Sequence, residues 1–186
     1  MPWQLPSLIR HQAVRWLAQG GIIAYPTEAV YGLGCDPLNE AAVRTILSLK
    51  RRPPEKGLIL IAADLSQLLP FIQIPPKEIL AKVLATWPGP VTWLLYAAPW
   101  VPPWLRGEHP TLAVRVTAHP IASALCREFG RPLVSTSANP SGRPPARSPQ
   151  RVRSYFRLPL LIVPGPVGGL ARPTPILDPY SDQRLR

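Results

Sequence analysis

The sequence is poor in cysteine, in long apolar runs and in acids, and each shortage excludes something. Two cysteines in 186 residues, Cys35 and Cys126, lie far apart and show no C-x-x-C spacing. That excludes a disulfide framework and argues against a structural zinc site, so a reducing cytoplasm is the expected compartment. No run approaches the ~18 apolar residues of a membrane-crossing helix, and no membrane partner is expected. The opening Met1-Pro2-Trp3-Gln4-Leu5-Pro6 lacks the basic-then-apolar order of a secretory signal. No G-x-x-x-x-G-K-[ST] phosphate loop occurs. Gly32-Leu33-Gly34 continues into Cys35-Asp36-Pro37, so a G-x-G-x-x-G dinucleotide loop fails as well. His11, His109 and His119 have neither metal-ligand spacing nor an obvious serine or cysteine partner, and read as surface or loop residues.

Proline and arginine are present in excess. The 27 prolines fall often in pairs (Pro53-Pro54, Pro75-Pro76, Pro102-Pro103, Pro144-Pro145), which predicts short elements joined by stiff connections. Ten acids face 21 bases for a net charge of +11, and between Glu128 and Asp178 there is no acid at all. Arg131, Arg143, Arg147, Arg151, Arg153, Arg157 and Arg172 fill that stretch. Arginine's planar fork matches phosphate, so a phosphate-rich partner is expected, whether nucleotide or nucleic acid. The alternative is a solubilising surface.

Hydrophobic spacing predicts alternating helices and strands: a helix over 7–19, a strand over 22–25, and a helix over 39–49 capped by Asn39. Strands follow at 57–61, 91–96 and 112–116, with a helix over 77–86 between the first two. A helix over 120–129, a strand over 132–135, a basic helix from Ser148 to Tyr155 and strands at 160–163 and 176–177 complete the pattern. The expected fold is a single α/β domain over 1–186, with a twisted, mixed, open sheet flanked by helices and a basic concave face.

Four polar segments press against these apolar elements. Tyr25 to Gly34 brings Thr27 and Glu28 to the sheet edge, with glycines that permit close backbone approach. Lys50-Arg51-Arg52-Pro53 ends a helix and leads to Lys56, where the simpler role is to complement the helix dipole. Arg115 sits between Val114 and Val116 on a strand, which calls for an anionic partner. Ser135-Thr136-Ser137-Ala138-Asn139 collects hydroxyls and an amide at the carboxyl end of a buried strand, either as a ligand site or as turn capping.

In order, these segments contain P-T-E-x-V-Y-G-L-G (26–34), K-x-R-P (50–53), W-P-G-P-V-T (87–92), L-A-V-R-V (112–116) and S-T-S-A-N-x-S-G (135–142). Together they resemble the YrdC-like family, the threonylcarbamoyl-AMP synthases of tRNA modification, in their short bacterial form. The resemblance runs from Gly20 to Asp178. It implies condensation of L-threonine, bicarbonate and ATP into threonylcarbamoyl-adenylate with release of pyrophosphate. The adenylate then serves downstream tRNA-modification proteins, which modify the adenosine next to the anticodon. Carried over by position, it implies ATP contacts from Lys50, Arg52, Lys56, Ser137, Asn139 and Arg186, and threonine contacts from Thr27, Arg115, Ser135 and Thr174. No covalent nucleophile is implied. Magnesium is implied with the ATP, without a dedicated protein site.

The sequence departs from the pattern at Ala29, where many relatives carry a second threonine, and at Ile61, where longer members often carry histidine. Pro140 and Pro175 replace commoner residues beside the motifs. The rival reading is a non-catalytic RNA-binding module, for double-stranded RNA or tRNA, acting through the Arg143–Arg157 region. Arg147/Arg151 and Arg153/Arg157 are each expected to share a helical face.

Overall fold

The computed structural model describes residues 5–157 and 159–185. The helices are α1 (Ser7–Ala18), α2 (Glu40–Lys50), α3 (Lys77–Leu84), α4 (Pro103–Arg106), α5 (Pro120–Phe129) and α6 (Pro149–Tyr155). The strands are β1 (Ile23–Pro26), β2 (Tyr31–Gly34), β3 (Ile59–Ala62), β4 (Thr92–Tyr96), β5 (Thr111–Val116), β6 (Leu133–Ser137), β7 (Leu161–Ile162) and β8 (Ile176–Leu177). They form one mixed sheet in the order β7-β1-β2-β6-β3-β5-β4-β8. The β1/β7, β3/β5 and β4/β8 pairs are parallel, and the rest are antiparallel. Among the described residues no helix is long and apolar enough to cross a membrane.

Local chemistry sets the boundaries. The Asn39 side chain accepts from Ala42 N to start α2, and Ser148 does the same for α6 through Arg151 N. Pro120 opens α5 at the position where a missing N–H costs nothing. At the end of α2, Arg51 takes the left-handed conformation (φ 51°) that glycine usually fills, and turns the chain toward Arg52.

The two faces of the sheet explain where a site can form. Leu60, Val114, Leu112, Val134 and Leu33 point to one face, which packs against α2, α3, α4 and α6 through Val43, Ile46, Val83, Leu105 and Val152. The other face carries Ile23, Tyr25, Ile61 and Leu133 under α1 and α5. That second layer covers only one end of the strands. Farther along, Ser135, Ile59 and Ala113 lie abreast in register, and Ser137 lies beside Gly32, with no helix above them.

Four sequence expectations change. Residues 31–34, where the sequence predicted no element, form a strand, because Gly32 and Leu33 pair with Ser137 and Thr136 on β6. For the same reason β6 runs on through Ser137. Helix α6 is too short for the two arginine pairs, since Arg147 precedes its cap and Arg157 follows Phe156. His119 is buried, its Nε2 3.1 Å from Pro166 O.

The β1–β2 hairpin depends on one close approach. Tyr25 is fully buried and lies across Gly34, where an added Cβ would sit 2.6 Å from Val134 O and 2.7 Å from Tyr25 Cε1. Gly34→Ala is therefore expected to cost about 1–3 kcal/mol of overpacking, read as a drop in thermal midpoint, and an unchanged midpoint would contradict it.

Candidate active site

The uncovered end of the sheet is the floor of a cavity of about 480 Å³, within the size range of small-molecule sites. Its wall brings together most of the residues expected from sequence: Thr27, Arg52, Lys56, Arg115, Ser135, Ser137 and Thr174. Lys50 and Asn139 stand behind the wall rather than in it. Arg186 lies outside the described residues.

Arg115 is built into the floor. Its Nη1 donates to Thr92 Oγ1 (3.0 Å) and Thr174 Oγ1 (2.8 Å), and its Nη2 lies 3.4 Å from Glu28 Oε2. The other Glu28 oxygen accepts from Thr117 Oγ1 at 2.5 Å, and all five residues are buried. Burying this charge requires such a partner, because an isolated ion would lose its hydration without return. Arg115 lines the cavity, and its buried Nε finds no hydrogen-bond acceptor among the described residues. Thr27 Oγ1 donates to Val30 O at 2.7 Å and closes the turn between β1 and β2 beside it.

Cations gather at the other end. Arg52 donates through Nε and Nη2 to Gly57 O (3.1 and 2.9 Å), which holds the guanidinium against the loop that carries Lys56. Lys50 is only 4% exposed. Its ammonium donates to the carbonyls of Ser137 and of Asn139 (2.8 Å) and lies 3.5 Å from Ser137 Oγ, tying the end of α2 to the turn after β6. Among the described residues no carboxylate pairs with it. Burial, reinforced by the nearby Arg52 charge, pushes its pKa down to about 8. Asn139 Nδ2 donates to Pro140 O (3.0 Å) and Arg143 O (2.6 Å), and Ser141 Oγ donates to Arg51 O (3.1 Å). Asn139 thus folds its own turn, while its buried Oδ1 has no partner among the described residues.

Several site residues were not singled out from the sequence. Glu28 was visible as part of P-T-E but not as the anion that Arg115 required, because nothing in one dimension places position 28 beside 115. Thr92 and Thr117 complete that cluster. Arg106, Thr111, Thr136 and Asp178 also line the cavity, and His109 stands at its mouth. Cys35 and Cys126 are buried, and burial pushes both thiols upward, Cys126 to about 12, so each stays protonated. Among the described residues no cluster of His, Cys, Asp and Glu could hold a metal ion. Asp178, the one acid among the described residues of the cavity wall, already accepts from Tyr180 N (2.9 Å) and Ser181 Oγ (2.7 Å).

A mixed sheet with a half-covered face, an ion-paired arginine in its floor and a cationic rim defines a family. The chain belongs to the Sua5/YciO/YrdC family, described as telomere recombination, which it matches over residues 15–185. It is 55% identical over 186 residues to the threonylcarbamoyl-AMP synthase of Halorhodospira halophila, covering 100% of this chain and 97% of that one. It is 55% identical over 175 residues to the protein of the same name from Methylococcus capsulatus, covering 94% of each. P. abyssi Sua5 complexed with L-threonine superposes with a TM-score of 0.84 at 35% identity, over 91% of this chain and 50% of that one. E. coli YciO superposes with a TM-score of 0.78 at 31% identity, over 92% of this chain and 83% of that one. The chain thus spans about half the length of P. abyssi Sua5 and nearly all of the synthases above.

Proposed function

We propose that this chain is a threonylcarbamoyl-AMP synthase, which condenses L-threonine, bicarbonate and ATP into threonylcarbamoyl-adenylate, pyrophosphate and water. The observation that carries this reading is the polarity of the cavity. One end offers a fixed guanidinium beside the hydroxyls of Thr27, Ser135 and Thr174, a fit for an amino-acid carboxylate. The other end offers Arg52 and Lys56, a fit for phosphates.

Arg115 takes the threonine carboxylate, and Thr27, Ser135 and Thr174 surround the rest of the amino acid. The threonine nitrogen, once carboxylated, presents a carbamate oxygen to the α-phosphorus, and the bond to the β-phosphate bridging oxygen breaks as the new P–O bond forms. Negative charge builds on the departing pyrophosphate. Arg52, Lys56, Ser137 and the Lys50–Asn139 turn lower that barrier by ~3–4 kcal/mol for each well-placed donor. Arg186 joins the phosphate contacts. Magnesium would arrive on the ATP phosphates; among the described residues Glu28 is paired with Arg115 and Thr117, and Asp178 accepts from Tyr180 N and Ser181 Oγ.

The adenylate is consumed in the cytoplasm by downstream proteins that modify the tRNA adenosine next to the anticodon. The exposed Arg143, Arg151, Arg153 and Arg157 form the tRNA-facing surface, supported by the absence of acids from Phe129 to Leu177.

The low pKa of Lys50 makes nucleotide binding pH-dependent. Unfolded, the side chain titrates near its ordinary value of 10.5, and folded near about 8. The unfolded chain therefore binds more protons between those values, and folding stability rises with pH across that window. A polyanion reverses the shift by favouring the charged ammonium. Nucleotide binding is expected to take up a proton near pH 8 and to weaken above it by up to about tenfold per pH unit. Calorimetry in buffers of different ionisation enthalpy measures the proton uptake; none at pH 8 would contradict it.

The overall reading is tested by pyrophosphate release from ATP with L-threonine and bicarbonate omitted in turn. Release that requires both supports it, and release with neither overturns it.

A further inference from the structure

Three cations in the cavity wall have no anion among the described residues. Lys56 Nζ makes no hydrogen bond or ion pair among the described residues, and Arg52 keeps its Nη1 open. Arg106 is the third. Its Nε donates to Val101 O (3.3 Å) and its Nη1 to His109 O (2.9 Å) and Gly107 O (3.5 Å), while Nη2 has no acceptor among the described residues. The guanidinium is therefore held in place by backbone carbonyls, with one edge left over in a cavity wall.

Arg106 and the Arg52–Lys56 loop form one unit. Leu58 N donates to Leu105 O (2.8 Å), and Glu108 N donates to Glu55 O (3.2 Å). The backbones meet so closely that a Cβ on Gly107 would lie 2.1 Å from Glu55 O, and one on Gly57 would lie 2.8 Å from Arg106 O. Both glycines also have positive φ, so neither position accepts another residue without strain. The acids on these loops, Glu55 and Glu108, are exposed and form no ion pair with the three cations. Arg115 in the same wall is matched by Glu28, and Asp178 is held by Tyr180 N and Ser181 Oγ. The excess positive charge thus lies on one side only, and like charges on interlocked loops repel unless an anion lies between them.

We infer that Arg106 is the third cation of a pyrophosphate-binding wall, which closes with Arg52 and Lys56 on the β and γ phosphates of ATP and on the pyrophosphate that leaves. The inference rests on the adenylate-forming reading and adds to it a residue that neither the family motifs nor the expected ATP set contains. Two planar forks and an ammonium on interlocked loops suit a compact anion carrying several charges better than a single carboxylate. The wall also makes pyrophosphate an inhibitor that competes with ATP but not with threonine.

Calorimetry with inorganic pyrophosphate on the full chain tests this directly. Arg106→Gln is expected to weaken pyrophosphate binding about tenfold or more while L-threonine binding stays within about twofold. Pyrophosphate affinity unchanged in Arg106→Gln overturns the inference. Arg106→Lys separates charge from scaffolding, because it keeps a cation but gives up the carbonyl bonds. It is expected to weaken pyrophosphate binding less than Arg106→Gln does, because the charge remains although the fork is lost. Loss in the lysine variant as complete as in the glutamine variant, with threonine binding lost too, makes Arg106 a packing residue and overturns the assignment. Threonine- and bicarbonate-dependent turnover is measured separately on the unsubstituted protein. If it is absent while pyrophosphate binding still depends on Arg106, the wall stands and the substrate assignment falls.

Discussion

Arg115→Leu is expected to lose about 3–5 kcal/mol of folding stability together with threonine-dependent turnover. The stability loss comes from what stays behind. Glu28 would remain buried without its cation, and Thr92 and Thr174 would lose the donor at 3.0 and 2.8 Å. A neutral replacement of both charges relieves that cost, so Glu28→Gln combined with Arg115→Met should recover much of the stability and none of the activity. Activity answers to a different property of the same side chain. Arg115→Lys keeps the charge but loses the planar fork, and is expected to raise the threonine KM about tenfold or more while the ATP KM stays within about threefold. Urea unfolding and substrate titrations measure the two effects independently. A stable Arg115→Leu would contradict the stability cost of the unpaired Glu28, and a lysine variant whose ATP and threonine requirements move together would remove Arg115 from the threonine site.

Lys50→Met should show the opposite profile, with turnover nearly lost and stability little changed. Methionine fills the same buried path. It leaves the carbonyls of Ser137 and Asn139 without a donor, a cost of about 1–3 kcal/mol. It also removes a buried ammonium that no carboxylate neutralises and whose pKa already lies near about 8. The two effects oppose, so the net change in stability should stay within about 1–2 kcal/mol. Turnover has no such offset. A buried cation held at the phosphate end stabilises charge that appears only as pyrophosphate leaves, and its removal should lower kcat by about 100- to 1,000-fold. The variant should also lose the dependence of nucleotide binding on pH above 8. Single-turnover pyrophosphate release and thermal unfolding check the pair of expectations, and unimpaired release would place Lys50 in the scaffold alone.

Much of this was legible in the linear sequence, and the reasons for what was not are physical. The capped helix after Asn39 and the helix opening at Pro120 follow from local chemistry, so spacing and capping residues located them closely. The β2 strand was hidden because Gly32 and Gly34 have poor strand propensity. The strand exists through its pairing with β1 and β6, and its glycines are needed where the Tyr25 ring crosses. The expected site residues Thr27, Arg52, Lys56, Arg115, Ser135, Ser137 and Thr174 do converge on one cavity. The partner of Arg115 did not announce itself, since an ion pair that joins residues 28 and 115 is a product of the fold. Arg106 was hidden for the same reason: its neighbours Gly107 and Glu108 look like an ordinary turn until the Glu55–Gly57 loop is laid against them. His119 misled in the other direction. A lone histidine before a proline-opened helix resembles a surface cap, yet burial lowers its pKa and its ring faces Pro166 O.

The central claim is that one cavity joins threonine, bicarbonate and the adenylyl group, and radiolabelled bicarbonate tests it most directly. With ATP and L-threonine present, label should appear in a single adduct that also contains threonine and AMP, in step with pyrophosphate release. Omission of threonine should abolish both signals. Pyrophosphate released without incorporated label, or label incorporated without threonine, would contradict the account.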